Sequence, residues 1–247
     1  MPQTESMVQP LGTASGSPAA GGATPIRVAI LISGRGSNMQ SLVQVVAAER
    51  LPVQLCSILS NKAEAAGVDW ARSRGLPVDV LPHRGFASRE AFDAALQARL
   101  QQLAPDYILL AGFMRVLGAG LVRHFQGRII NIHPSLLPAF PGLHTHAQAL
   151  VQGVQWHGCT VHFVTPELDH GPIIAQGIIP VLAGDTPDLL AQRLLPVEHQ
   201  VYVQVLRWLA QGRLRLQPDG QVKVLGEAHR AWLGETPYQR QDHHEQE

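Results

Sequence analysis

Asn131 and His133 stand two residues apart in the stretch NIHPSLLPAFPGLHTH. The apolar run RIINIH that contains them predicts a strand, and side chains two apart on a strand project to the same face. An amide beside an imidazole suits acyl chemistry. The amide donates a fixed hydrogen bond to a developing oxyanion, and the imidazole supplies or relays a proton near neutral pH. The plainer alternative is a histidine that braces its own loop through hydrogen bonds. Pro134, Pro138 and Pro141 hold the following loop to an irregular path, more constraint than a mere connection requires. Asp169 lies in TPELDHG, just beyond the apolar strand VHFV. A carboxylate there can be a simple turn former, but across a crevice from His133 it would stabilise the imidazolium. His144 and His146 raise a metal reading with Asp169, yet Cys and Glu are not arranged to complete a site, so no metal is expected.

A second candidate is Gly34-Arg35-Gly36-Ser37-Asn38, which follows the run IRVAILIS. Glycines allow close backbone approach, and the helix that follows offers free N–H groups and a positive dipole end, which suits a phosphate. A strand-to-helix turn capped by Ser or Asn would read the same way. A dinucleotide loop would need a third glycine where Met39 stands, and an acidic residue ending the second strand, where the chain has Ser60-Asn61. The loop therefore reads as a monophosphate site.

These residues need a scaffold, and the chain supplies one by alternation. Apolar runs of strand length recur at IRVAILIS, VQLCSILS, VDVL, YILLAG, RIINIH, CTVHFVT and near Pro172 to Val181. Helical stretches separate the earlier runs: one after the glycine loop, one from Ala65 to Ser73, and one from Ser88 to about Leu103. Thr186-Pro187-Asp188 predicts a helix start, running to about Ala210 with a bend at Pro196. RLRLQPDGQVKVL predicts a C-terminal hairpin turning at Pro218-Asp219-Gly220. Such alternation predicts an α/β fold with a mostly parallel twisted sheet flanked by helices, and a ligand site at the carboxyl ends of the strands. Residues 1–25, rich in Gly, Ala, Ser, Pro and Thr, read as a disordered tail without secretory features. Residues 26–226 read as the catalytic domain and residues 227–247 as a C-terminal tail.

The 19 basic and 19 acidic residues cancel, so no electrostatic footprint for nucleic acid or anionic membrane is expected. No apolar run has the length of a membrane span. Cys56 and Cys159, each in an apolar stretch, read as reduced core residues, not a disulfide. The expected compartment is the cytoplasm.

The stretches VAILISGRGSNMQSL, SNKAEAAG, SREAFD, PDYILLAGFMRVL, NIHPSLLPAFPGLHTHAQAL, HGCTVHFVTPELDHGPIIAQ and EHQVYV occur in order from Arg27 to about Leu214. Together they resemble the phosphoribosylglycinamide formyltransferase family of purine synthesis. The resemblance implies transfer of a formyl group from 10-formyltetrahydrofolate to the amine of glycinamide ribonucleotide. By the same resemblance Gly36, Ser37 and Asn38 would hold the ribonucleotide phosphate, and Glu198 the amino-sugar end. The folate would be held by Arg89, by the backbone of Met114, Arg115, Val116 and Leu117, and by Thr165, Pro166, Glu167, Leu168 and Asp169. Asn131 and a protonated His133 would meet the oxyanion. Asp169, through a water, would keep the imidazole charged and ferry the amine's proton to the leaving nitrogen. Pro166, His170 and Pro196 depart from the family's usual residues. The expected partners are small molecules, with no nucleic acid and no membrane, acting on a monomer or homodimer. The rival readings are a formyltetrahydrofolate hydrolase, another folate formyltransferase acting on methionyl-tRNA or an amino sugar, and a phosphate-binding module without catalysis.

Overall fold

The computed structural model describes residues 24–234. The tail expected at residues 1–25 falls almost wholly outside the described residues, as does the end of the expected C-terminal tail.

Strand β1 (Ile26–Ile32) is apolar along its length, and its last five residues are buried, as a central parallel strand requires. Helix α1 (Ser37–Ala48) turns Met39, Leu42, Val43 and Val45 onto the sheet at helical spacing. Each of these large side chains contributes about 1.5–3 kcal/mol by burial. Then follow β2 (Val53–Ser60), α2 (Ala66–Arg72) and β3 (Val78–Val80). Helix α3 (Arg89–Leu103) is capped by Ser88, whose hydroxyl accepts from the Ala91 N–H at 3.2 Å. Next come β4 (Tyr107–Leu110), α4 (Ala119–His124), β5 (Ile129–His133), α5 (Thr145–Gln152), β6 (Trp156–Phe163) and β7 (Ile173–Pro180). Helix α6 (Pro187–Ala210) starts as expected, with Thr186 accepting from the Leu189 N–H and Pro187 in the first turn. A small ladder, β8 (Leu214–Leu216) with β9 (Val222–Val224), is the expected hairpin, and β10 (Ala231–Leu233) closes the described chain.

Eight strands form one sheet in the order β10-β7-β6-β5-β4-β1-β2-β3. Every pairing in it is parallel except that β6 runs antiparallel to both β5 and β7. After β1 the chain builds outward through β2 and β3, then returns to the other side of β1 with β4. That reversal leaves a crevice outside the carboxyl ends of β1, β4 and β5, where a ligand can approach the backbone. Helix α6 closes over this arrangement. The fully buried Tyr202 hydroxyl lies 3.2 Å from the Leu110 carbonyl and 3.1 Å from the Ile130 carbonyl, so the helix is tied to β4 and β5 at once. Glu198 precedes Tyr202 by one helical turn and is therefore carried on the same face toward the crevice.

The structure departs from the sequence reading in a few places. Helix α6 runs from Pro187 to Ala210 as one element with Pro196 inside it, where the missing N–H leaves the Gln192 carbonyl without its helical donor. Strand β6 begins at Trp156, three residues before the expected CTVHFVT. Helices α4 and α5 were not anticipated: one is six residues long, and the other starts inside the proline-rich stretch. Strand β10 lies in the segment assigned to the C-terminal tail and extends the main sheet beside β7. Both cysteines are free, but only Cys159 is buried; Cys56 is half-buried on β2.

Candidate active site

Asn131 and His133 end β5 and both line a cavity of about 580 Å³. The proline-rich loop after them is held by a polar scaffold. Thr160 Oγ1 donates to the Ser135 carbonyl at 2.7 Å and accepts from the Leu137 N–H at 3.0 Å. Thr145 Oγ1 donates to the Pro134 carbonyl at 2.6 Å. Five non-glycine residues among those described have positive φ, and three of them, Phe140, His144 and Asp169, belong to this site. Left-handed backbone is unfavourable for a residue such as Phe, so its surroundings must enforce it. The gain is positional: the Phe140 carbonyl sits 3.0 Å from His133 Nε2.

That contact settles the tautomer. A carbonyl can only accept, so His133 Nε2 carries a proton and Nδ1 is the nitrogen free to gain or lose one. Nδ1 lies 3.6 Å from Asp169 Oδ2, with both side chains buried. Asp169 Oδ2 also accepts from the Gly142 N–H at 2.8 Å, which joins the two loops. The separation from His133 is too long for a direct hydrogen bond but close enough for charge to act across it.

His162 completes the group, and the sequence reading gave it no role. It stands opposite Asn131 in the β5–β6 ladder. His162 Nδ1 is 2.9 Å from the Phe163 carbonyl and so carries the proton, which leaves Nε2 to accept from Asn131 Nδ2 at 3.3 Å. Burial pushes the His162 imidazole below its ordinary value, although the Phe163 carbonyl and Asp169 oppose the shift. A neutral His162 thus orients the Asn131 amide and leaves its second N–H for a ligand oxygen. A polar residue in the middle of VHFV was the available signal.

At the far side, Asn38 Nδ2 donates to Glu198 Oε2 at 2.8 Å, and both residues line the cavity. Burial raises the Glu198 carboxyl above its ordinary value, with the Asn38 hydrogen bond acting against it. Asn38 Oδ1 is buried and has no hydrogen-bond partner among the described residues. Gly36 and Ser37 do not line the cavity; they sit beside it at the start of α1. Gly36 has φ 69 and no side chain caps the helix, so its first N–H groups are open to an anion. Of the residues expected to hold folate, Met114, Arg115, Val116, Leu117, Thr165, Pro166, Leu168 and Asp169 line the cavity. Arg89 and Glu167 do not. The Arg89 guanidinium donates to the Val116 carbonyl. His170 is exposed, lies outside the lining, and has Nδ1 2.7 Å from the Leu168 carbonyl.

His144 starts α5, and His146 Nδ1 lies 3.0 Å from His157 Nε2. Burial holds His157 down to about 4. Among the described residues no group of three or more His, Cys, Asp or Glu is placed to hold a metal ion, and no helix is long and apolar enough to cross a membrane.

The family profile described as formyl transferase matches residues 26–206. The Escherichia coli K12 protein named phosphoribosylglycinamide formyltransferase is 46% identical over 194 residues, covering 78% of this chain and 92% of its own. The Bos taurus trifunctional purine biosynthetic protein adenosine-3 is 42% identical over 196 residues, 79% of this chain but only 19% of that larger protein. Among solved structures, glycinamide ribonucleotide transformylase 1 from Symbiobacterium toebii superposes with a TM-score of 0.79 at 43% identity, over 86% of this chain and all of that one.

Proposed function

The chain belongs to the formyl transferase family, and on that premise we propose that it transfers the formyl group of 10-formyltetrahydrofolate to the amine of 5'-phosphoribosylglycinamide, a step of purine biosynthesis. The products are formylglycinamide ribonucleotide and tetrahydrofolate. The observation that carries this reading is the convergence of an amide, an imidazole and a carboxylate, Asn131, His133 and Asp169, on one cavity.

The cavity fits two substrates meeting end to end. One wall, residues 112–117, offers backbone and the exposed apolar side chains of Met114 and Val116 to a flat heterocycle. Asn38 Oδ1, an acceptor without a donor, and the Glu198 carboxyl suit the hydroxyl or amino groups of a ribonucleotide. Its phosphate would then reach the open N–H groups at Gly36, Ser37 and Asn38. Binding both substrates in one cavity makes the transfer effectively unimolecular, so no covalent enzyme intermediate is required.

In this reading the amine nitrogen attacks the formyl carbon and the carbonyl oxygen takes up negative charge. The second N–H of Asn131, fixed by His162, donates to that oxygen. A proton on His133 Nδ1 does the same. Asp169 balances the charge on the imidazole and, through a water, passes the proton lost by the amine to the departing folate nitrogen. The proposal carries with it a cytoplasmic location and a monomer or homodimer acting on small molecules.

The test is direct. Purified protein mixed with 10-formyltetrahydrofolate and glycinamide ribonucleotide should release tetrahydrofolate and form one formylated ribonucleotide per turnover. Absence of formylated ribonucleotide from a folded protein would reject the assignment.

A further inference from the structure

Residues 112–117, between β4 and α4, form one wall of the cavity yet have no helix or strand of their own. What fixes them is a grip at every second residue. The Ser33 N–H donates to the Gly112 carbonyl at 3.1 Å, and the Met114 N–H donates to Ser33 Oγ at 2.8 Å. The Arg89 guanidinium donates to the Val116 carbonyl, and the Gly118 N–H donates to Asp93 Oδ2 at 2.8 Å. This alternation is that of a strand edge, where successive peptide groups face opposite sides. The peptide groups of Arg115 and Leu117 make no hydrogen bond among the described residues, and both residues line the cavity.

Ser33 is itself locked. It is buried, and its hydroxyl proton is committed to Asn61 Oδ1 at 2.6 Å, so its oxygen is held as an acceptor facing Met114. Asn61 is buried too, and its Nδ2 lies 3.2 Å from His83 Nδ1. The ends of β1 and β2 thus form a rigid clip behind the wall.

We propose that Ser33 and Asp93 are positioning residues that preset this backbone edge for the fused heterocycle of the formyl donor, setting donor affinity without touching it. A heterocycle with neighbouring N–H donors and N or O acceptors matches the free peptide groups of Arg115 and Leu117 only if those groups are held in register. Arg89 belongs to the same clip through its bond to the Val116 carbonyl. The inference rests on the reading that the formyl donor occupies this cavity.

The test is calorimetry with tetrahydrofolate and, separately, with glycinamide ribonucleotide, on wild type, Ser33→Ala, Asp93→Ala and Asp93→Asn. Wild type should bind both. Each alanine variant should weaken tetrahydrofolate about tenfold, the scale of one lost hydrogen bond, while ribonucleotide affinity stays within about twofold. Asp93→Asn keeps an acceptor for the Gly118 N–H and should bind tetrahydrofolate nearly as wild type does. If Ser33→Ala does not fold, the contrast between the two Asp93 variants carries the test alone. Unchanged tetrahydrofolate affinity in the folded alanine variants, or equal loss for both ligands, would overturn the positioning role. A wild-type protein that binds the ribonucleotide but not tetrahydrofolate would overturn the donor assignment itself, and this inference with it.

Discussion

Replacing Asp169 by Asn removes one negative charge and little else. The asparagine keeps an oxygen for the Gly142 N–H. The loop should therefore keep its shape. What is lost is the attraction between the carboxylate and positive charge on His133, 3.6 Å away. For unit charges at that distance the interaction is about 1 kcal/mol in water and roughly 4–5 kcal/mol at an effective dielectric of 20. The two side chains are only 7% and 8% exposed, so the larger figure governs. Allowing for relaxation, a loss of about 3–4 kcal/mol lowers kcat by about 10²–10³. Steady-state assays of tetrahydrofolate release should show that fall with KM for both substrates changed by less than about threefold. A folded Asp169→Asn variant with kcat within about tenfold of wild type would mean that the carboxylate charge is not used in the reaction.

Asn131→Ala removes the oxyanion donor and should lower kcat by about 10²–10³ at unchanged melting temperature; near-normal turnover would take the amide out of the mechanism. Gly36→Val puts a β-branched side chain at φ 69, with its Cβ 3.0 Å from Met39 Cε. It should destabilise the fold by roughly 1–2 kcal/mol and weaken ribonucleotide binding far more than folate binding. Equal loss for both ligands in calorimetry would confine that glycine to folding. His157, held down to about 4, takes up a proton in the unfolded chain below about pH 6.5 that the folded chain refuses. Stability should then fall as pH drops from 6.5 toward 4, by up to roughly 2 kcal/mol after allowance for screening. His146 and His162 are lowered as well and act in the same direction, while Glu198 acts against them. Thermal unfolding at a series of pH values should show the slope, and His157→Gln should flatten it; an unchanged slope would remove His157 as its source.

The sheet and most helices were legible because buried parallel strands write themselves as continuous apolar runs, and the caps at Ser88 and Thr186 follow local rules. Asn131 and His133 were legible for the same reason, since strand alternation fixes which way they face. What stayed hidden depended on contacts across the chain. The pairing of Asn131 with His162 follows from an antiparallel register that no local pattern states. The Asn38–Glu198 bond joins residues 160 apart. The bond from the Arg89 guanidinium to the Val116 carbonyl joins residues 27 apart and depends on where α3 packs. Helix α5 was masked because its first turn grows out of the proline-rich loop through His144 in left-handed backbone.

On the proposed function this cavity delivers the formyl group to an amine and not to water. This is tested most directly by supplying 10-formyltetrahydrofolate labelled in the formyl carbon and tracing the label with and without glycinamide ribonucleotide. Label should enter the ribonucleotide when it is present, and almost no labelled formate should appear when it is absent. Labelled formate released without the ribonucleotide as fast as transfer runs with it would mark the enzyme as a hydrolase.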